Sequence, residues 1–490
     1  MVNIGTFVLC AIICVILFGS HGNKALFCRM LALTIVVELM IERGYFIRVG
    51  SQQVAYRTIC EVVMACVSLG TLISQRVRMD RRNILNLMAL IVALVIGWSM
   101  LVVFPSEATG ATLEMSWDEI LVEHIPRQSI RFLPSMFLEI VQVLMFLLII
   151  LTCVSYLERR DWAYVMNRVI KGITPILFVC LLEVVTVYVF HSDIFHVISD
   201  YVLGNSLSTQ TSILGRGSGY VLMGFTKEAS HFASAITVLL MMDLVQLFMR
   251  RPLALRSDYR RGFRIGVCVG ILVLSMSFSS LYFGFCLLVL ILLLASERRG
   301  RSSLRVLFVL TFAAALVMLF FAMLPYIATQ MNGDGFWGRR IKSVAEELDL
   351  ITSGQWLYAS TALEWSNRVR LGSTYETIKL IAYRPLFGLG LASTTAHSSI
   401  AMLLSGCGIV GTFLYLRNMF WWKSLELPIR NKGLYASLIV VYLAFTLLNS
   451  LSLRPYYECW CIMLVVLFRL ACSDEERNAR TFDGATGREI

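Results

Sequence analysis

Three stretches of the sequence combine residue types that could bind an anion or move a proton. Leu214-Gly-Arg-Gly-Ser-Gly-Tyr220 is Gly-rich, which lets backbone amides approach a phosphate, and Arg216 adds a planar, permanently charged fork suited to diphosphate oxygens. The alternative is a flexible loop with one solvated arginine. Next comes Met223-Gly-Phe-Thr-Lys-Glu-Ala-Ser-His-Phe-Ala233, at the mouth of an apolar segment. Glu228 and His231 stand three apart there and share a helix face, although an acid at a helix start also serves simply as a dipole partner. Between residues 327 and 396 lie Arg339, Arg340, Arg368, Arg370 and Arg384, among aromatics such as Trp337, Trp365 and Tyr383. Aromatics near a bilayer are often interfacial anchors, but interleaved with arginines they also form surfaces for sugars and anions.

The elements that must position these residues are transmembrane. The 490-residue chain is 58% hydrophobic and only 15% charged, with a mean hydropathy of +0.74, which excludes a water-soluble fold. Segments long enough to cross a hydrocarbon core fall near 4–19, 25–42, 54–74, 84–104, 133–157, 169–190, 230–249, 304–326, 397–421, 433–452 and 455–471. The apolar stretch 265–295 exceeds the roughly 20 residues of one crossing and has basic flanks on both sides. It reads as a hairpin that turns near Ser275-Met-Ser-Phe-Ser-Ser280. The expectation is an all-α bundle of about 13 spans, a single polytopic domain over 1–472 with a cytoplasmic tail over 473–490.

Arginine placement sets the orientation. Residues 76–82, 159–171, the hairpin flanks, 423–432 and the tail fall on one side when the spans are threaded alternately, which makes that side cytoplasmic. The other side receives the loops 105–132, 191–229 and 327–396. The net charge of +11 therefore reflects the positive-inside pattern rather than a nucleic-acid partner. The 13 cysteines mostly sit in apolar segments without metal-site or disulfide spacing. Residues 4–19 lack a basic region before them and a cleavage site after them, so they read as a first span. Within the spans, Glu38, Arg57, Glu61, Glu139, Glu183 and Asp243 are costly charges, each about 2.5–3.5 kcal/mol at a span centre. Arg57 and Glu61, four apart, are placed to neutralise each other.

The most specific pattern is Ser366-Asn-Arg-Val-Arg-Leu-Gly372, then Tyr383-Arg-Pro-Leu-Phe-Gly-Leu-Gly390, then His397 and Gly406-Cys-Gly-Ile-Val-Gly411. Over about residues 210–421 the order and spacing of these motifs resemble the O-antigen polymerase and ligase superfamily, membrane glycosyltransferases that use undecaprenyl-diphosphate-linked glycans. The resemblance implies a GT-C-like helical fold in the bacterial cytoplasmic (inner) membrane, with the large outer loop packed over a lateral, lipid-accessible cavity. It implies that Arg216, Arg368, Arg370 and Arg384 hold the carrier diphosphate, with Arg339, Arg340, His231 and Tyr383 contributing to glycan or diphosphate contacts. His397 occupies the position of a proton acceptor in the ligase branch. Glu228-Ala-Ser-His resembles the Glu-Pro-Ser signature of the polymerase branch, with Ala229 in place of proline, and this favours polymerisation over ligation.

The implied partners are the undecaprenyl-diphosphate-linked oligosaccharide, as donor and acceptor, membrane lipids, and a chain-length regulator protein. The chemistry needs no cofactor: a polyprenyl diphosphate is already a good leaving group, and fixed arginines can neutralise its growing charge. Glu228 or His397 then assists the acceptor hydroxyl. No metal is expected, because Glu347-Leu-Asp349 sits in an amphipathic pattern and Asn332-Gly-Asp-Gly335 has the composition of a turn. A lipid-linked oligosaccharide flippase, the competing class, would show cations along many spans and two similar halves.

Overall fold

The structure is a computed structural model that describes residues 3–42, 44–49, 52–75, 77, 81–103, 112–113, 128–129, 134–190, 192, 194–204, 222–226, 229–248, 260–274, 284, 287–288, 323, 345, 374–375, 377–394, 396 and 398–420. The described elements are, in chain order, α1 (Ile4–Gly19), α2 (Asn23–Met40), strands β1 (Ile47–Val49) and β2 (Gln52–Val54), α3 (Tyr56–Ser74) and α4 (Arg81–Val103). Strands β3 (Thr112–Leu113) and β4 (Gln128–Ser129) follow, then α5 (Pro134–Tyr156), α6 (Arg159–Tyr188), α7 (Ile194–Leu203), α8 (Ala229–Phe248), α9 (Arg260–Leu274) and α10 (Ser399–Phe420). The all-helical expectation holds apart from the two antiparallel hairpins, β1 with β2 and β3 with β4.

Among the described residues five helices are long and apolar enough to cross a membrane: those over Tyr56–Ser74, Arg81–Val103, Met136–Tyr156, Tyr164–Thr186 and Ser399–Met419. Helix α2 carries Lys24, Arg29 and Glu38 along its 18 residues, yet most of it is buried. Phe27, Met30, Leu31 and Ile35 have no solvent exposure, and α3 and α6 pack on its two sides. Close approach to α6 is allowed by Gly172, where a Cβ would come 2.9 Å from Val36; small residues play this part where lipid tails provide no hydrophobic drive between helices. The outward faces carry exposed apolar side chains such as Phe7, Val15, Ile73, Phe178 and Leu182, as lipid contact requires.

Helix starts explain the boundaries. Asn3 caps α1 by accepting the Thr6 N–H at 2.9 Å. A capping box starts α6, where the Glu158 N–H donates to Asp161 Oδ2 at 2.8 Å. That box places the start of α6 at 159 rather than 169. Its 30 residues make a rod of about 45 Å at 1.5 Å per residue, longer than one crossing. Helix α7 and the β1–β2 hairpin also depart from the sequence expectation, which placed only loop at both. The span 304–326 apart from Met323, the spans 433–452 and 455–471, the hairpin turn at 275–280, the tail and most of the large loop lie outside the described residues.

The helices alternate in direction, so their charges sort to two ends. At one end Lys24 pairs with Glu158 at 3.1 Å and Asp161 at 2.8 Å, and Arg29 donates to Tyr164 and to the Gly19 carbonyl. Asp243 is also there, buried, with Arg264 contacting both of its oxygens at 2.8 and 3.1 Å. This is the end that the arginine pattern assigns to the cytoplasm. The end of α2, the start of α3, the end of α6, and the starts of α5, α8 and α10 gather at the opposite end.

Candidate functional site

Of the candidate binding and catalytic residues, the structure describes Arg384, Tyr383 and His231, and it describes the intramembrane charges Glu38, Arg57, Glu61, Glu139, Glu183 and Asp243 as well. Arg216, Glu228, Arg339, Arg340, Arg368, Arg370 and His397 lie outside the described residues.

The stretch Tyr383–Gly390 and the glycines of α10 form one interlocked unit. Gly408 breaks α10 with φ 65°, and the break strips backbone groups of their helical partners. In lipid each such group must find a partner inside the protein. The 385–390 segment supplies them: Ile409 N–H donates to the Pro385 carbonyl at 2.7 Å and Val410 N–H to that of Leu386 at 3.1 Å. In return Leu389 N–H donates to the Ser405 carbonyl at 2.8 Å and Gly390 N–H to that of Gly406 at 2.9 Å. Only glycine fits at the crossing. A Cβ on Gly408 would lie 2.3 Å from the Leu386 carbonyl carbon, and one on Gly388 would lie 2.4 Å from that of Gly406.

This unit fixes the Arg384 backbone, whose carbonyl accepts the Gly388 N–H at 3.0 Å. The Arg384 guanidinium is half-buried, and desolvation lowers its pKa from the ordinary value; an arginine so placed still carries its charge at neutral pH. Tyr383 beside it is 47% exposed, available to a sugar face. Ser398 caps α10 through Ala401 N–H at 3.3 Å, and the Thr394 and Ser405 hydroxyls pair at 2.8 Å. His397 follows the buried Ala396 and precedes the buried Ser398 in the chain.

A second cluster stands at the ends of α2, α3 and α8, and sequence reasoning named most of its members without grouping them. His231 Nδ1 is hydrogen-bonded to Glu42 Oε2. The other oxygen, Glu42 Oε1, lies 3.7 Å from Arg57 Nη1. One turn back along α2, Glu38 has both carboxyl oxygens buried, with Glu61 of α3 facing it and Arg57 near. Arg57 of α3 thus lies within ion-pair reach of Glu42 at the end of α2. Glu42 itself was never singled out, because it is the last residue of the apolar segment 25–42, where an acid reads as an ordinary span end; in the structure it stands just past the end of α2. Alternation of span direction was the available signal, since it puts residues 42, 57 and 231 at one end.

Glu183 and His196 are structural partners of this region. The buried Glu183 carboxylate accepts the N–H groups of Met223 and Gly224, each at 2.7 Å, and lies 3.2 Å from His196 Nε2. It thus anchors the loop that leads to Lys227, Glu228 and α8, a role that span counting had hidden by placing it deep in a helix. The Glu42 N–H adds a bond to the Phe225 carbonyl at 3.2 Å, so the same loop is tied to α2. Glu139, expected deep as well, stands in the second turn of α5 and is 7% exposed.

Taken together, this end of the bundle offers a half-buried guanidinium on a rigid backbone, an exposed tyrosine, and an imidazole held by an ionisable carboxyl. Such groups can bind an anion and accept a proton. Among the described residues no group of three His, Cys, Asp or Glu is placed to hold a metal ion. Comparison of the chain with protein-family models, with curated protein sequences and with solved structures finds no match.

Proposed function

We propose that the protein is a membrane glycosyltransferase that polymerises undecaprenyl-diphosphate-linked oligosaccharide repeat units into O-antigen or a related surface polysaccharide. The reaction takes place on the outer face of the bacterial cytoplasmic membrane. The observation that carries this reading is the interlocking of Tyr383–Gly390 with Gly406–Gly411, because these are the motifs on which the superfamily resemblance rests and they act here as one unit. A loop that borrows its hydrogen bonds from a broken helix is rigid, and rigidity is what an arginine needs to meet a diphosphate without reorganisation. Arg384 sits on that loop. Arg216, Arg368 and Arg370 are its proposed companions at the diphosphate, with Arg339 and Arg340 towards the glycan.

Transfer then follows from charge. As the bond between the sugar and the carrier breaks, negative charge grows on the diphosphate, and the guanidinium groups stabilise it through bidentate hydrogen bonds. The acceptor hydroxyl attacks while a nearby base takes its proton. The test is to incubate the purified protein with a synthetic polyprenyl-diphosphate oligosaccharide and resolve the products by size. Polymerisation gives a ladder, ligation a single transfer, and a flippase no new bond.

A further inference from the structure

The cluster at the ends of α2, α3 and α8 carries an inference that rests on the glycosyltransferase reading and names the proton acceptor within it. His231 stands in the first turn of α8, and its Nδ1 is engaged by Glu42. Among the described residues its Nε2 makes no hydrogen bond. The side chains of His231, Glu42 and Arg57 are 16%, 13% and 19% exposed, so the group is sheltered but reachable from the loop end of the bundle. A carboxylate on Nδ1 favours the tautomer that carries its proton there, which leaves Nε2 as the basic nitrogen of the ring. Arg57 lies by Oε1 of Glu42, the oxygen that does not meet the ring, which supports the carboxylate without displacing the histidine.

Among the described residues the ring meets Glu42, which Arg57 of α3 approaches from its other side, and Glu38 of α2 and Glu61 of α3 lie behind that pair. Lys227 and Glu228 precede it in the chain. A plain structural lock between α2 and α8 would need only the Nδ1 contact. The partial exposure of the side chain and an Nε2 without a hydrogen bond among the described residues are what a lock does not require and a base does.

We propose that His231 is the base of the transfer reaction and that Glu42 is its positioning residue. In the step, Nε2 takes the proton of an acceptor sugar hydroxyl as that oxygen bonds to the anomeric carbon of the donor glycan. The bond from the anomeric carbon to the carrier diphosphate breaks, and its electron pair leaves with the diphosphate. The ring then returns its proton to water or to the departing diphosphate.

The deciding variant is His231→Asn, whose amide N–H can still donate to Glu42 but which has no basic nitrogen. In full-length protein supplied with synthetic polyprenyl-diphosphate oligosaccharide, kcat should fall by about 10²–10⁴, with KM within a few-fold of wild type and unchanged thermal stability. His231→Ala should lose as much and regain activity when imidazole is added. Glu42→Gln should lower kcat without moving KM. If His231→Asn turns over within about threefold of wild type, or if imidazole restores nothing to a folded His231→Ala, the contact is a lock and the proposal is wrong. A wild-type protein that transfers no glycan overturns the glycosyltransferase reading and this one with it, whereas an active wild type with active variants overturns only this one.

Discussion

Ile409 gives its backbone N–H to the Pro385 carbonyl at 2.7 Å, which makes a loop segment the cap of a half-helix that Gly408 has broken. The break is therefore built into the fold, and both halves of α10 are satisfied by the same six residues, 385–390. Gly408→Ala must hold a non-glycine residue at φ 65°, ψ −174°, a region that is essentially glycine's own, at about 1–3 kcal/mol, with its Cβ 2.3 Å from the Leu386 carbonyl carbon. The expected result is a clear fall in melting temperature and at least a tenfold loss of turnover. Gly70→Ala on α3 is the control: nothing stands within 4 Å of its Cβ, and glycine to alanine inside a helix favours the fold by about 0.5–1 kcal/mol. Melting curves of the two variants check the contrast.

At the opposite end, Asp243→Asn leaves the guanidinium of Arg264, itself 3% exposed, without its carboxylate. Breaking a buried pair in this way costs about 3–5 kcal/mol. Arg264→Met leaves Asp243, among the described residues, with only the longer contact to Arg261 at 4.0 Å. Both variants should show lower yield and melting temperature while the folded fraction keeps its specific activity, because the pair lies far from the proposed site along the helix axes. Specific activity per folded molecule, measured after size exclusion, separates the two effects.

Much of this architecture can be read from the chain. The boundaries of α1, α3, α5, α8 and α10 fall within about two residues of the apolar segments, because hydropathy over a span the length of a bilayer is a strong signal. The α6 start was misjudged because its first turns are polar and its capping box sits outside the bilayer-length window. The β1–β2 hairpin and α7 were invisible for a similar reason, being short elements in loops whose order comes from long-range bonds. One is Asn3 Nδ2 to the Tyr45 carbonyl at 2.6 Å; another is Tyr56 to the Leu203 carbonyl at 3.2 Å. In the site, the glycine motifs around Tyr383–Gly390 and Gly406–Gly411 were legible as a pair. The Glu42–His231 contact joins residues 189 apart in sequence, and no local spacing rule reaches that far.

Glu183→Gln is predicted to destabilise the loop before α8. Its carboxylate takes two backbone N–H groups at 2.7 Å, and an amide can accept from only one while turning its own NH2 toward the other. Each charge-assisted bond contributes about 1.5–3 kcal/mol. Melting temperature and turnover should both fall, and faster proteolysis after Lys227 should accompany them. A large loss of turnover with native stability would instead place Glu183 in the chemistry.

Replacing Arg384 by lysine should hurt nearly as much as replacing it by alanine, since a point charge cannot reproduce two parallel N–H contacts to diphosphate oxygens. The same is expected at Arg216 and at one or both of Arg368 and Arg370. A loss of about tenfold or more in kcat/KM for each is the equivalent of one charge-assisted bond of about 1.5–3 kcal/mol. Steady-state kinetics on the lysine series decides this, and full polymer length and amount in all four lysine variants would reduce these arginines to loop surface.

The most direct measurement is the product distribution from purified wild-type protein given a polyprenyl-diphosphate oligosaccharide in the presence of EDTA. The account predicts a ladder whose rungs differ by one repeat unit and lengthen with time, because fixed arginines, rather than a divalent ion, neutralise the leaving diphosphate. A single transfer to a different acceptor, movement of the intact lipid across a vesicle without a new glycosidic bond, or a ladder that disappears on chelation and returns with a divalent ion would contradict it.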